Sequence, residues 1–439
     1  MLTNITNTYT TVDNANIANI VDNFNNTLKN GTILHTVIEQ KNTDDTDDNQ
    51  TILNINLPLL TCDYINSTKL KCLSYGVDSS SGPSVIIFFS HNDIYNVYPN
   101  TSQKKCYGKL FINPITIHTT RECKKKVDSL SVECKIYETL HAITETMGAK
   151  PYKQYLINMI GVCKTLTIND MTMLLLNTPY HQLINEGRRE FNTIMNKLTC
   201  IDNNTNPNNP NDVQNNLNTK TFTLLLTDTF DDMISFDYLR SQIQRNTRFD
   251  NRNLNGLFAK IALGLHYLHS VGIYHNDLHK GNIIVTANDD IHRHLLDPIT
   301  GRMYLHNSIY CPKIFDYDHS ILFDMKTPVQ LNHSPITSPL NDVLQLLENT
   351  FEFFKITNRT TEEMDLRKTF VNTCFTFPNH DMKNKFLASK FIRGIFMDIE
   401  LARYFTRDEI QILHYSCNIN VRAYWEALNL QELTLKSGP

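Results

Sequence analysis

The hydrophobic pattern of the chain changes near residue 226, and this change limits the folds that the chain can adopt. Before it, apolar runs are short and rich in β-branched or aromatic residues, as in Val85–Phe89, Lys109–Ile112 and Phe222–Leu226, which is typical of strands. After it, Leu254–Leu268 repeats apolar residues every three or four positions, which is typical of an amphipathic helix. A strand-rich half followed by a helix-rich half predicts an α+β protein with two lobes.

The length and composition agree with this division. The chain has 439 residues, of which 41% are hydrophobic, and this is enough for more than one core. We expect a strand-rich lobe over residues 60–226 and a helical lobe over residues 227–439. Two tracts are rich in Asn and other polar residues, so they cannot bury a core. Residues 1–59 are expected to be a partly disordered N-terminal segment, and residues 202–219 to be a polar insertion in the first lobe.

The net charge and the lack of targeting patterns argue against several classes of protein. The formal net charge is -4, so there is no basic excess of the kind that predicts a nucleic-acid partner. The N-terminus has no secretory pattern, and no run approaches the roughly 20 apolar residues of a membrane span. The 10 cysteines include no C-x-x-C pair, which predicts neither a zinc site nor a disulfide framework. These observations predict a cytoplasmic protein.

The stretch Tyr274–Val285, Y-H-N-D-L-H-K-G-N-I-I-V, carries the most specific chemistry. It follows the amphipathic helix and leads into an apolar strand. Phosphoryl transfer needs a carboxylate to orient the acceptor hydroxyl and oxygen ligands to hold a cation. Asp277 can supply the carboxylate, and Asn282 returns an amide oxygen to the same cleft. Asp316, beyond a second short apolar strand, adds a charged ligand.

These residues resemble the two signature motifs of protein kinases. His275-Asn276-Asp277-Leu278-His279-Lys280-Gly281-Asn282 is similar to the catalytic loop H-x-D-L-x-x-x-N, and Asp316-Tyr317-Asp318 to the magnesium motif Asp-Phe-Gly. The resemblance implies a two-lobed protein-kinase-like fold that uses ATP and Mg²⁺. It implies Asp277 as the catalytic residue and Asn282 and Asp316 as the metal ligands. The motifs stand further apart than is usual in the family, which predicts an enlarged hairpin after Val285.

The chain also departs from the family pattern. Asn276 replaces Arg, and His279 replaces Lys, with Lys280 beside it as an alternative cation. Asp318 replaces Gly and is either a second metal ligand or a capping or salt-bridging residue. Asp342 resembles the Asp that begins the family's central helix, which leaves a short activation segment. Regulation by phosphorylation of that segment is therefore not expected.

The resemblance also extends, more weakly, to the first lobe. Glu133, in a segment with helical spacing, resembles the helix Glu that pairs with a strand Lys. Lys109 is the preferred Lys, and Lys104 and Lys105 are alternatives. Gly76 and Gly82 belong to a small, flexible stretch that could lay N–H groups on phosphates. That stretch lacks the G-x-G-x-x-G spacing of the family.

Two segments are candidates for the strand that joins the lobes. One is Met173–Leu176. The preferred one is Leu224–Leu226, because the residues from Asp228 to Tyr238 resemble the kinase hinge and the helix after it.

Three functions from different classes remain open. The chain resembles the serine/threonine protein kinases of large cytoplasmic DNA viruses, including the poxvirus virion kinases, which implies a Ser or Thr hydroxyl of a protein as the acceptor. His275-Asn276-Asp277 with Gly281-Asn282 is also similar to choline and aminoglycoside kinases, which act on small molecules. A non-catalytic pseudokinase scaffold is the third, although the retention of all three motif residues argues against it.

Overall fold

The computed structural model combines α-helices and β-strands, as expected from the sequence. It describes residues 70–77, 84–91, 105–113, 121–142, 153–176, 220–229, 233–245, 251–286, 294–297, 302–306, 308–322, 339–354, 360–388, 404–406, 408–409, 418–419, 421–428 and 431–432. All of these belong to one compact unit, Asn54–Pro439. The expected N-terminal segment and the expected insertion at 202–219 lie outside the described residues.

The described strands before residue 229 form one antiparallel sheet. They are β1 (Leu70–Val77), β2 (Ser84–His91), β3 (Lys105–Ile112), β4 (Met159–Leu166) and β5 (Phe222–Asp228). Their order across the sheet is β1-β2-β3-β5-β4. The third strand is therefore central, and its Lys109 is aligned with Ile86 on β2 and Leu225 on β5.

Helix α1 (Arg121–Ala142) packs against this sheet. Its buried positions recur every three or four residues, including Leu130, Cys134 and Tyr137, so one face of the helix is covered. Glu133 lies on that face and is only 3% exposed. The packing of α1 therefore directs a carboxylate toward the interior.

The structure agrees with one of the two predicted joining strands and contradicts the other. Phe222–Asp228 is strand β5, as preferred from the sequence. Met173–Leu176 belongs instead to helix α2 (Ile168–Leu176), so the alternative strand is wrong. Met173 and the three leucines after it are good helix formers. Thr167 and Asp170 form a capping pair at the start of α2, with Asp170 N donating to Thr167 Oγ1 (3.2 Å).

The rest of the described chain is mostly helical. The helices are α3 (Phe236–Arg245), α4 (Asn251–Ser270), α5 (Pro339–Phe353), α6 (Thr361–Cys374), α7 (His380–Ala388) and α8 (Val421–Ala427). The apolar stripe predicted along α4 is confirmed, because Leu254, Phe258, Ile261, Leu265 and Leu268 are all buried. Helix α4 thus forms the centre of a core that α5 and α8 cover.

Short strands connect these helices. They are β6 (Ile234–Ser235), β7 (Ile273–Tyr274), β8 (Ile283–Thr286), β9 (His294–Leu296), β10 (Met303–Leu305), β11 (Cys311–Ile314), β12 (Ile321–Leu322), β13 (Phe375–Thr376), β14 (Asn418–Ile419) and β15 (Gln431–Glu432). Strands β8 and β11 pair as an antiparallel hairpin. The paired strands β9 and β10 are inserted between them, so the predicted enlargement after Val285 is confirmed.

The chain between α1 and β4 is hydrogen-bonded to β11. Ile157 N donates to the carbonyl oxygen of Ile314 (3.0 Å), and Ile314 N donates to that of Tyr155 (2.9 Å). Leu156 forms a parallel bridge with Ile314 at the same place. The segment that follows α1 is thereby attached to the strand that precedes Asp316.

Cysteine usage departs from the expectation at one residue. Cys106, Cys134 and Cys311 are buried free thiols, and burial raises the pKa of Cys106 to about 12. Cys163 on β4 is disulfide-bonded. The expectation of thiols without disulfides is therefore wrong at Cys163.

Candidate active site

Asp277 and Asn282 lie in the loop between α4 and β8 and contact each other. The amide nitrogen of Asn282 donates to the backbone carbonyl of Asp277 (2.9 Å) and to its Oδ2 (3.2 Å). Asn282 is buried, whereas the side chain of Asp277 is 29% exposed. The carboxylate of Asp277 is thus oriented from one side and accessible from the other, as a proton acceptor for a bound hydroxyl has to be.

Three charged residues from distant parts of the sequence meet beside this loop. The Nζ of Lys109 donates to Glu133 Oε2 (2.7 Å) and to Asp316 Oδ1 (3.0 Å). Lys109 is on β3, Glu133 on α1, and Asp316 follows β11. The predicted pairing of Lys109 with Glu133 is therefore present. Of the alternatives, Lys105 begins β3 and Lys104 lies outside the described residues.

Burial and charge together set the protonation of this group. Burial alone would lower the pKa of Lys109, but the charges of Glu133 and Asp316 raise it well above its usual range. Burial raises the pKa of Glu133 to about 7, against the opposing effect of Lys109. Lys109 therefore stays protonated, and Glu133 changes its charge close to neutral pH.

The backbone takes an unusual conformation at two positions of this site. Asn276 and Asp316 have φ values of 60° and 65°, the positive values found among the described non-glycine residues. Asn and Asp tolerate this left-handed region better than most residues because their short polar side chains bond locally. Such conformations cost about 1–3 kcal/mol each and cluster at functional sites. Both motifs are thus places where the surrounding contacts hold the chain in a strained turn.

Contacts between aromatic rings connect His275 and Tyr317, one from each motif, to α1. The ring of Tyr317 lies 5.2 Å from that of His275 and 4.9 Å from that of Tyr137. The Nε2 of His275 also bonds the carbonyl oxygen of Phe315 (2.8 Å). Tyr137 was missed in the sequence, because its contact depends on how α1 packs. Its position four residues after Glu133, on the same helix face, was the available signal.

Asp342, in the first turn of α5, holds the start of the catalytic loop. It accepts hydrogen bonds from the backbone N–H of His275 (2.8 Å) and of Asn276 (2.6 Å). It also bonds the Nε2 of His269 at the end of α4 (2.9 Å), and it is fully buried. The predicted helix start near Asp342 is confirmed, and the structure adds that its carboxylate supports the strained turn at Asn276.

The two basic residues that follow Asp277 have different partners. The Nε2 of His279 lies 3.5 Å from Asp277 Oδ2, while its Nδ1 accepts a hydrogen bond from Gly281 N (2.8 Å). The Nζ of Lys280 lies 3.5 Å from Glu352 on α5. His279 rather than Lys280 is therefore the basic side chain that faces the candidate catalytic carboxylate.

A second acidic residue lies near Asp277. Asp277, Asp318 and His319 bring one ligand atom each within 4.8 Å of one another, an arrangement that could hold a metal ion. Asp318 is buried and lies 3.7 Å from His319. The side chain of Asp318 therefore points toward the catalytic loop, and both interpretations made from the sequence, ligand and salt-bridging residue, remain compatible with its position.

The glycine-rich stretch is described only at its first residues. Gly76 lies in β1, opposite Ile86 on β2, so it is a strand residue near the turn rather than part of the turn itself. Gly82 lies outside the described residues. The connection between β1 and β2 is nevertheless where the sequence predicted it, next to the strand that carries Ile86, the neighbour of Lys109.

Comparisons with known proteins do not place the chain in a family. No model of a known protein family matches it, and no curated protein is significantly similar to it. Among the described residues, no helix is both long and apolar enough to cross a lipid bilayer.

Proposed function

We propose that this protein is an ATP-dependent phosphotransferase with a two-lobed protein-kinase-like fold. The observation that carries the proposal is that the ammonium group of Lys109 contacts both Glu133 and Asp316. These two residues are 24 and 207 positions from Lys109 in the sequence, yet each places a carboxylate oxygen within 3.0 Å of its Nζ. Protein kinases use a Lys on the third strand paired with a Glu on a helix, together with the Asp of the magnesium motif. Lys109 is on the third strand of the sheet.

In this proposal Lys109 binds the α- and β-phosphates of ATP, and Glu133 keeps its ammonium group in place. The connection between β1 and β2, to which Gly82 belongs, is the segment proposed to offer backbone N–H groups to the phosphates. Asp228, at the end of β5, supports the start of β4 by accepting from Asn158 N (2.8 Å). The nucleotide therefore binds between the sheet and the catalytic loop.

The residues present fit a magnesium ion. Asp316 offers a carboxylate that is 32% exposed, and Mg²⁺ prefers such oxygen ligands. The amide nitrogen of Asn282 donates to Asp277, so its amide oxygen would be the atom offered to the ion. When bound, Mg²⁺ neutralises charge on the phosphates during transfer.

Asp277 acts on the acceptor. Its partly exposed carboxylate orients the incoming hydroxyl and accepts its proton as the hydroxyl oxygen bonds to the γ-phosphorus and the bond from that phosphorus to the leaving ADP breaks. His279, at 3.5 Å, contributes a donor beside that carboxylate. The residues that hold the nucleotide and the residue that receives the proton thus come from different elements.

The proposed acceptor is a Ser or Thr hydroxyl of a protein, and the proposed setting is the host cytoplasm or the virion of a large DNA virus. The motif resemblance supports this choice. A small-molecule kinase of the choline or aminoglycoside type is the alternative, and a pseudokinase scaffold is the third candidate.

One experiment separates these candidates. The purified chain is incubated with γ-labelled ATP and Mg²⁺, and with casein, a basic protein or choline in parallel reactions. Label in casein or the basic protein supports a protein kinase, and label in choline supports the small-molecule alternative. An absence of transfer together with an absence of magnesium-dependent ATP binding would leave the pseudokinase as the remaining candidate.

Two substitutions then test the assigned roles. Asp277→Ala should lower turnover by roughly 10²–10⁴-fold, the usual contribution of a general base, with similar affinity for ATP. Asp316→Ala should weaken magnesium-dependent ATP binding, since a charged ligand is removed. Asp365→Ala, at an exposed position of α6, is the matched control. Wild-type turnover in Asp277→Ala would reject the catalytic assignment.

A further inference from the structure

The backbone of the catalytic loop is fully hydrogen-bonded by side chains and local contacts. From His275 to Leu278, every N–H and C=O group has a partner, which is the arrangement that a buried irregular segment requires. Asp342 accepts from the first two N–H groups. Ser320 Oγ donates to the carbonyl of His275 (3.0 Å) and Asn341 Nδ2 to that of Asn276 (2.7 Å).

Leu278 is held on both sides by one helix. Its N–H donates to Gln345 Oε1, and its carbonyl oxygen accepts from Asn349 Nδ2 (2.9 Å). Gln345 and Asn349 are four residues apart on α5, so they project from the same helix face. Asp342 lies three residues before Gln345 and extends this row along the helix.

This row fixes the direction in which Asp277 points. The peptide groups on either side of Asp277 are both held: Asn341 binds the carbonyl before it, and Gln345 binds the N–H after it. The carbonyl of Asp277 itself accepts from Asn282 Nδ2. Because the two flanking peptide planes determine φ and ψ, they also determine the direction of the Cα–Cβ bond.

The polarity of each amide is set by its partner. An N–H group of Leu278 requires an oxygen, so Gln345 acts as the acceptor. A carbonyl of Leu278 requires a donor, so Asn349 acts through its nitrogen. Asn349 is buried, and a reversed amide there would place two acceptors together, which costs about 1–3 kcal/mol.

We infer that Gln345 and Asn349 are positioning residues for Asp277, which act through the backbone of Leu278. The inference rests on the proposed function for the role of Asp277. It adds that α5 holds the catalytic loop in place through one acceptor, Gln345 Oε1, and one donor, Asn349 Nδ2. At the position where the protein-kinase motif has Arg, this chain has Asn276, whose backbone is held by Asp342 and Asn341.

The test compares substitutions that keep size but change polarity. Gln345→Glu keeps the acceptor oxygen and should leave kcat within about threefold of wild type. Gln345→Met has a similar length without an acceptor, and Asn349→Asp has the same shape without a donor. Both should lower kcat by about 10- to 100-fold through misplacement of Asp277. The KM for ATP should not change, because Lys109 and Asp316 are not touched.

A second readout does not depend on activity. Hydrogen exchange at the amide of Leu278 should be slow in the wild type and in Gln345→Glu, and fast in Gln345→Met, while exchange in α4 stays unchanged. If Gln345→Met does not fold, Gln345→Asn, whose amide is one methylene shorter, gives the same comparison. An inactive wild type would reject the proposed function, but the exchange result would still test the row on α5. Equal kcat and equal protection in Gln345→Glu and Gln345→Met would overturn the inference.

Discussion

The sheet and the helical region hold their candidate catalytic residues by different kinds of contact. On the sheet side, Lys109 depends on two charged contacts, to Glu133 and Asp316. On the helical side, Asp277 is carried by a loop whose backbone groups are each bonded by a side chain or a neighbouring residue. Charged contacts between separate elements are lost when one element moves, whereas a distributed hydrogen-bond network is lost only by local unfolding. The sheet side is therefore the adjustable half of the site.

Removal of the positive charge of Lys109 on the sheet side should have the strongest consequence for the site. Lys109→Met should lower transfer by about 10²–10³-fold, because the phosphates lose a preorganised positive charge. The substitution also leaves Glu133 buried without its partner, which is strongly destabilising unless Glu133 is protonated. The measurement is turnover together with thermal unfolding.

Two variants control for this result. Lys109→Met combined with Glu133→Gln should recover stability without recovering transfer. Lys105→Met, at the first position of the same strand, should keep transfer. Full activity in Lys109→Met would move the role to Lys104 or Lys105.

A smaller effect is expected when the helical side is broken at its most buried point. Asp342→Ala leaves the N–H groups of His275 and Asn276 without an acceptor. Each buried unsatisfied amide costs about 1–3 kcal/mol, so the free energy of unfolding should fall by about 2–6 kcal/mol. Turnover should fall by about 10- to 100-fold through displacement of the loop. Denaturant unfolding and kcat measure the two effects, and a stability equal to that of Asp365→Ala would contradict the role of Asp342.

The smallest effect concerns pH. Burial raises the pKa of Glu133 to about 7, with Lys109 opposing and Asp316 and Asp318 adding to the rise. As pH falls through this value, Glu133 loses its charge and its hold on Lys109, so transfer should fall by up to about tenfold. The effect of Glu133 on the free energy of unfolding has the opposite dependence on pH. The folded state binds this proton more tightly than the unfolded state, so the stabilisation is present at low pH and is lost as pH rises through about 7.

The check is a pH–rate profile of the wild type beside that of Glu133→Gln. The variant should lack the step near neutral pH. A step of equal size in both profiles would assign it to another group.

The sequence predicted the helical side of the site better than the sheet side. Asp277 and Asn282 stand in one motif whose spacing is set by local turns, so the short-range pattern was sufficient to predict that they lie close together. Lys109 and Glu133 were weaker predictions, because their meeting depends on how α1 lies on the sheet. Gly76 illustrates the limit: flexible composition suggested a loop, but pairing with Ile86 places it in a strand, since cross-strand partners override local preference.

Residues that act through the backbone of others could not be predicted. Asn341, Gln345 and Asn349 are ordinary polar residues of an amphipathic helix until the loop they bind is known. Met173–Leu176 was ambiguous for a related reason, because a short apolar run does not distinguish a strand from a buried helix segment.

The hydrogen bonds at Ile314 couple two parts of the molecule that lie far apart in the sequence. Ile157 N and Tyr155 O are both bonded to Ile314, two positions before Asp316 and shortly before β4 begins at Met159. Strand β4 pairs with β5, which lies beside β3, the strand of Lys109. A displacement of β11 would therefore reach Asp316 directly and Lys109 through the edge of the sheet.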